Sequence, residues 1–165
     1  MQSFGYRIVE KDKQGALNAA KLKADGVEPG PVFQKLKNGE IVTLPDGREI
    51  DGKNYIGNPQ KGKIISIFGD TRATASEFRL AENADVLVHE ATFEGDKGKM
   101  AAEYMHSTTV QAAELAKRAG VKKLILTHIS SRYDREASKS LLIEAKSVFE
   151  NTEIAYDLAV FQIGE

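Results

Sequence analysis

Three apolar runs, residues 63–70 (KIISIFGD), 84–93 (ADVLVHEATF) and 122–130 (KKLILTHIS), alternate with helical patterns and restrict the chain to a layered α/β arrangement. None of them alternates strictly between apolar and polar residues. That is the pattern of strands buried on both faces, which requires a layer on either side of the sheet. Between the second and third runs lies TTVQAAELAKRAG, where Ala112, Leu115, Ala116 and Ala119 share one helical face. Thr108 with Gln111 forms a capping box there, and Gly120 follows the helix end. In DREASKSLLIEAKSVF, Ala137, Leu141, Leu142, Ala145, Val148 and Phe149 repeat at helical spacing behind an Asp134 N-cap. The closing stretch 153–163 (EIAYDLAVFQI) has enough β-branched and aromatic residues for one or two further strands.

The preceding region has a different texture. Residues 11–62 are rich in Lys, Gly and Pro and poor in large apolar side chains, so they are expected to pack lightly and project from the body as an arm. ALNAAKLKADG reads as a short helix stopped by Gly26. Pro29-Gly30-Pro31 reads as a turn or hinge, and Pro45-Asp46-Gly47 joins 41–44 to 48–50 as a small hairpin. Residues 1–10 read as a strand entering from elsewhere, and the natural chain is expected to begin further upstream.

Charge and composition exclude more than they assign. The formal net charge of -1 splits into +3 over residues 7–63 (eleven Lys/Arg, eight Asp/Glu) and -4 over 64–165 (twelve, sixteen). A nucleic-acid surface and an ordinary solvated face both fit the basic half. The absence of cysteine excludes disulfides, thiolate zinc sites and iron–sulfur clusters. No apolar stretch approaches the ~18–20 residues of a membrane helix. The start does not read as a secretory leader. A cytoplasmic location is the expectation.

The polar residues at the strand ends carry the chemistry. Asp70 ends the first run, His89 and Glu90 lie near the end of the second, and His128 near the end of the third. In layered α/β folds those ends form one rim, where ligands bind. His106 precedes the helix that starts at Ser107-Thr108, a position that favours anions and neutral imidazole. Each also has a structural reading. Asp70 can form a turn or cap, His128 and His89 can be satisfied internally, and His106 can be a neighbour of a cap; for His89 the structural role is preferred. A hydrolytic zinc needs roughly three protein ligands and an open position, and a dinuclear site needs more. With three histidines and no HxHxDH or HExxH cluster, these residues suggest half a site.

The ordered set SFGYR, PGPVFQKLKNGE, TLPDGREI, FGDTR, HEATF, HSTTVQAAELAK, LTHISSRY and the closing YD resembles bacterial ribonuclease Z along the whole chain. The match corresponds to about the second half of a family member. The resemblance implies about half of a four-layer αββα metallo-β-lactamase fold, two zinc ions, precursor tRNA as substrate and a homodimer in the full protein. By motif, it implies that Asp70 bridges the two zincs and that His128 is a terminal ligand. It also implies that His106 meets the phosphate or leaving oxygen, oriented by Glu90, and that Arg132 and Tyr133 shape the phosphate-facing rim. Residues 11–62 resemble the tRNA-gripping arm, or exosite, with Lys21, Lys23, Lys35 and Lys37 as phosphate contacts, and 63–165 the C-terminal half of the catalytic domain. The family's HxHxDH motif is absent, as is the histidine ahead of FGYR. The chain by itself is therefore expected to be inactive, awaiting its missing N-terminal half. Two other readings remain: a tRNA-binding or structural module without catalysis, and a different metallo-β-lactamase-fold phosphodiesterase.

Overall fold

The structure, a computed structural model, describes residues 3–163. In chain order the elements are β1 (Gly5–Val9), α1 (Ala19–Ala24), α2 (Pro31–Lys37), β2 (Ile41–Thr43), β3 (Glu49–Asp51) and a 3-10 turn (Gly52–Tyr55). There follow β4 (Ile64–Phe68), α3 (Ala75–Ala81), β5 (Val86–Glu90), a 3-10 turn (Gly95–Lys97), α4 (Gly98–Glu103), α5 (Thr109–Arg118), β6 (Lys123–Thr127), α6 (Arg135–Val148) and β7 (Thr152–Ile154). The chain divides into two compact units, Lys11–Gly62 and the remainder.

The larger unit is built on a five-stranded sheet of order β1-β4-β5-β6-β7. β1 pairs antiparallel with β4 (Gly5 opposite Phe68), and the other pairings are parallel, with Ile65 opposite Val86, Val88 opposite Ile125 and Leu126 opposite Ile154. Strand side chains alternate between faces. Phe68, Leu87, Leu124 and Leu126 therefore share one face, and they form the core with Ala81 of α3, Ala112, Leu115 and Ala116 of α5, and Ala145 of α6. The alanines let the helices approach closely. Both long helices start as their sequences dictate: Thr108 and Gln111 exchange capping-box bonds, and Asp134 accepts from the Ala137 amide.

The opposite face differs from the expectation of burial on both sides. Val86 and Ile125 are buried there, but Tyr6, Ile8 and Ile67 remain 62%, 52% and 37% exposed. The closing stretch also differs from the one or two strands expected over 153–163. Pairing ends at β7 and the Ala155 amide, and further on Leu158 takes a φ of +66° while the Ala159 amide turns back to the Tyr156 carbonyl.

The smaller unit holds α1, α2, the β2–β3 hairpin and the first 3-10 turn around a core of Leu22, Val27, Leu36 and Ile50. Pro31 takes the first position of α2, where its missing N–H costs nothing, so the Pro-Gly-Pro segment starts a helix. Gly47 at φ +86° closes the hairpin. Gly52 is required by close approach, since a Cβ there would lie 2.2 Å from the Leu36 carbonyl oxygen. Among the described residues, no helix is long and apolar enough to cross a membrane.

Candidate metal centre

β4, β5 and β6 run parallel, so their carboxyl ends meet at one edge. Asp70 lies two residues beyond β4, Glu90 closes β5, and His128 follows β6 directly. His106 arrives on the turn after α4: Met105 takes a φ of +62°, and the His106 amide reaches back 2.8 Å to the Ala101 carbonyl. This is a Schellman-type helix end with methionine where glycine is usual. His128 has a φ of +54°. Left-handed backbone at a non-glycine residue costs about 1–3 kcal/mol and concentrates at functional sites.

The three side chains converge. Asp70, His106 and His128 each offer a ligand atom, all within 4.8 Å of one another. His128 Nε2 lies 3.4 Å from Asp70 Oδ2, and the two imidazoles stack with centroids 5.1 Å apart. Two imidazoles and a carboxylate suit a zinc ion with an open coordination position. Among the described residues this is the single such cluster, so the donor set fits one ion.

Glu90 organises the cluster from beneath. It is 1% exposed, and its carboxylate receives five hydrogen bonds. Oε1 accepts from the Thr71 amide (3.1 Å), the Ser107 amide (3.0 Å) and His106 Nδ1 (2.9 Å). Oε2 accepts from the amide and hydroxyl of Thr92, each at 2.9 Å. Burying a carboxylate is costly, and five donors offset that cost. They also tie the loops carrying Asp70 and His106 to one group. The Ser107 hydroxyl adds a 2.7 Å bond to the Thr71 carbonyl, and Thr92 Oγ1 lies 2.9 Å from His128 Nδ1. Thr71, Thr92 and Ser107 were not singled out in the sequence. The available signal was a hydroxyl residue within two positions of each of Asp70, Glu90 and His106.

The remaining candidates lie further out. Arg132 is exposed, and its guanidinium stacks 4.9 Å above the Phe93 ring, which lies T-shaped against His106. The Tyr133 hydroxyl accepts from the Glu94 amide at 3.1 Å and braces that loop. In the smaller unit Lys21, Lys23, Lys35 and Lys37 are all exposed, in the last turns of α1 and α2, where cations complement the helix dipole. Lys21 is partly engaged, 4.8 Å above the Tyr55 ring. His89 points to the helical side of the sheet. Its Nδ1 donates to the Glu90 carbonyl at 2.6 Å, its ring lies against Phe68, and it takes no part in the cluster. A cavity of about 750 Å³ opens beside the cluster, lined by Asp70, Thr71, Arg72, Tyr104, Met105 and His106 among others.

Comparison with known proteins gives a consistent result. Residues 56–129 match a family described as a beta-lactamase superfamily domain. Over all 165 residues the chain is 86% identical to ribonuclease Z of Listeria monocytogenes serovar 1/2a, of which it covers 54%. It is 54% identical over 163 residues to ribonuclease Z of Geobacillus kaustophilus, covering 53% of that protein. The chain thus spans about half the length of the curated relatives it matches. A solved metallo-β-lactamase fold protein, YhfI from Bacillus subtilis, aligns with a TM-score of 0.51 at 30% identity, over 56% of this chain and 37% of that one. The fold is a mixed α/β arrangement that matches part of a metallo-β-lactamase domain.

Proposed function

We propose that this chain is the C-terminal part of a ribonuclease Z, a zinc-dependent endoribonuclease that removes the 3' trailer of precursor tRNA, and that the Asp70–His106–His128 cluster is its share of the hydrolytic site. The observation that carries this reading is the convergence of those three side chains on one another, with His106 bonded to a buried carboxylate, in a chain that over all its 165 residues is 86% identical to part of a ribonuclease Z.

Asp70 and His128 would hold the metal, and a bound zinc ion would supply Lewis-acid polarisation of a phosphodiester. His106 has its Nδ1 hydrogen committed to Glu90, which leaves Nε2 to exchange a proton with the leaving 3' oxygen. Arg132, held over Phe93, adds a cation at the rim. In the complete protein we place two zinc ions, a homodimer and a cytoplasmic location. Residues 11–62 are assigned to gripping tRNA, with Lys23, Lys35 and Lys37 free to meet phosphates, and Lys21 after leaving Tyr55.

A chimera tests the reading. Replacing the corresponding 165 residues of the Listeria monocytogenes enzyme by this chain should retain 3' processing of precursor tRNA, and Asp70→Ala in the chimera should abolish it. A well-folded chimera that does not cut would refute the assignment. A second reading, a tRNA-binding module without catalysis, is favoured by the donor set fitting one ion. It predicts a chimera that binds tRNA as tightly as the parent but leaves it intact.

A further inference from the structure

We propose that Thr92 is a positioning residue: its hydroxyl relays the Glu90 carboxylate to His128 and fixes that imidazole with its hydrogen on Nδ1 and its lone pair on Nε2, the form that can bind a divalent cation. The inference rests on reading Asp70 and His128, beside His106, as a metal site.

The argument counts hydrogens. A threonine hydroxyl has one hydrogen to give and lone pairs to receive. Thr92 Oγ1 lies 2.9 Å from Glu90 Oε2 and 2.9 Å from His128 Nδ1. An ionised carboxylate oxygen can only accept. If the hydroxyl gave its hydrogen to the imidazole, Oγ1 and Oε2 would face each other as two bare acceptors at hydrogen-bond distance. The arrangement that satisfies every atom runs the other way: His128 Nδ1–H donates to Thr92, and Thr92 donates to Glu90. Nε2 then carries no hydrogen.

His128 Nε2 faces Asp70 Oδ2 at 3.4 Å, and with the hydrogen on Nδ1 both are acceptors. Two lone pairs directed into one gap are what a bound cation reconciles. Glu90 fixes His106 as well, through the direct 2.9 Å contact with Nδ1. One buried carboxylate thus sets both imidazoles, one directly and one through a threonine, in the way metal-site histidines are oriented by partners behind them.

The test compares this chain with Thr92→Val, which keeps the shape and removes the hydroxyl, and Thr92→Ser, which keeps the hydroxyl. Long-range proton–nitrogen NMR of the metal-free protein reads the tautomer of His128 directly. The wild type and Thr92→Ser should carry the hydrogen on Nδ1, and Thr92→Val should shift it toward Nε2. Cobalt titration of the same proteins should show affinity falling about 10–100-fold in Thr92→Val and staying near wild type in Thr92→Ser. A His128 with its hydrogen on Nε2 in the wild type overturns the relay, as does a Thr92→Val protein with unchanged tautomer and cobalt affinity. The tautomer measurement needs neither metal nor RNA. It therefore decides the relay independently of the chimera, which decides the nuclease reading.

Discussion

His106 is near enough to Asp70 and His128 to be a ligand, yet its Nδ1 is tied to Glu90, and the residue lines the cavity. Removing it separates two roles. If His106 moves a proton, His106→Ala in the chimera lowers the maximal single-turnover rate by about 10²–10⁴-fold and leaves cobalt affinity nearly unchanged. If it is a ligand, affinity falls with the rate. The first outcome is expected. At the opposite end of the strands, burial pushes the Asp85 carboxyl up, but Lys122 at 2.7 Å, the Ile64 amide at 2.7 Å and Lys63 at 4.0 Å outweigh it and hold the carboxyl below its usual value. A depressed carboxyl contributes stability above its unfolded pKa of about 3.9 and loses it as pH falls through the lower folded value. Asp85→Asn should therefore cost about 1 kcal/mol in urea unfolding at pH 7, a modest figure because Lys122 is largely exposed. The difference should vanish as pH falls below the folded value. A deficit that persists there would show that shape, not charge, makes the contact. Asp70, Glu90, His106 and His128 were legible because they end apolar runs or precede a capping box. The threonines and serine behind them were not, because a hydroxyl's partner depends on which loops meet in space.

Strands β4, β5 and β6 and helices α5 and α6 were readable from periodicity and caps, since long amphipathic segments carry their own record. α3 and α4 were not. They are seven and six residues long and too short to show a period, and the capping box at Thr74 and Glu77 was the signal passed over. The same pair of residues serves the site: Glu77 Oε1 lies 3.2 Å from the Thr71 hydroxyl, so the cap of α3 also braces the loop after Asp70. In the smaller unit, poor apolar content read as light packing, yet four buried side chains close a core around Gly52. Gly52→Ala forces a Cβ against the Leu36 carbonyl and should destabilise that unit by about 1–3 kcal/mol. Hydrogen exchange should then quicken at the amides of Leu22 and Leu36 and not at Leu87 or Leu124. Unchanged exchange at Leu36 would mean the close approach is relieved at little cost.

At the scale of the molecule, one sheet face is sealed by helices and the other leaves Tyr6, Ile8 and Ile67 open, in a chain that spans 54% of its Listeria relative. Adjacent exposed apolar side chains of this kind favour association. Sedimentation over a range of concentrations should show self-association of the isolated chain, reduced by Ile8→Thr with Ile67→Thr. A monomer at every concentration would show that the face is covered in solution. The fold class followed from the alternation of runs; the open sheet face was expected only from the resemblance to about half of a four-layer fold, because apolar strands look alike whether or not their second layer lies in the same stretch of chain. The central claim is that Asp70 and His128, beside a His106 that Glu90 holds, form a divalent-metal site. Cobalt titration of the isolated chain, read by visible absorption, tests it most directly. The account expects one ion per chain, lost in Asp70→Ala and in His128→Ala. Cobalt binding that is absent from the wild type, or that survives both substitutions, would contradict it.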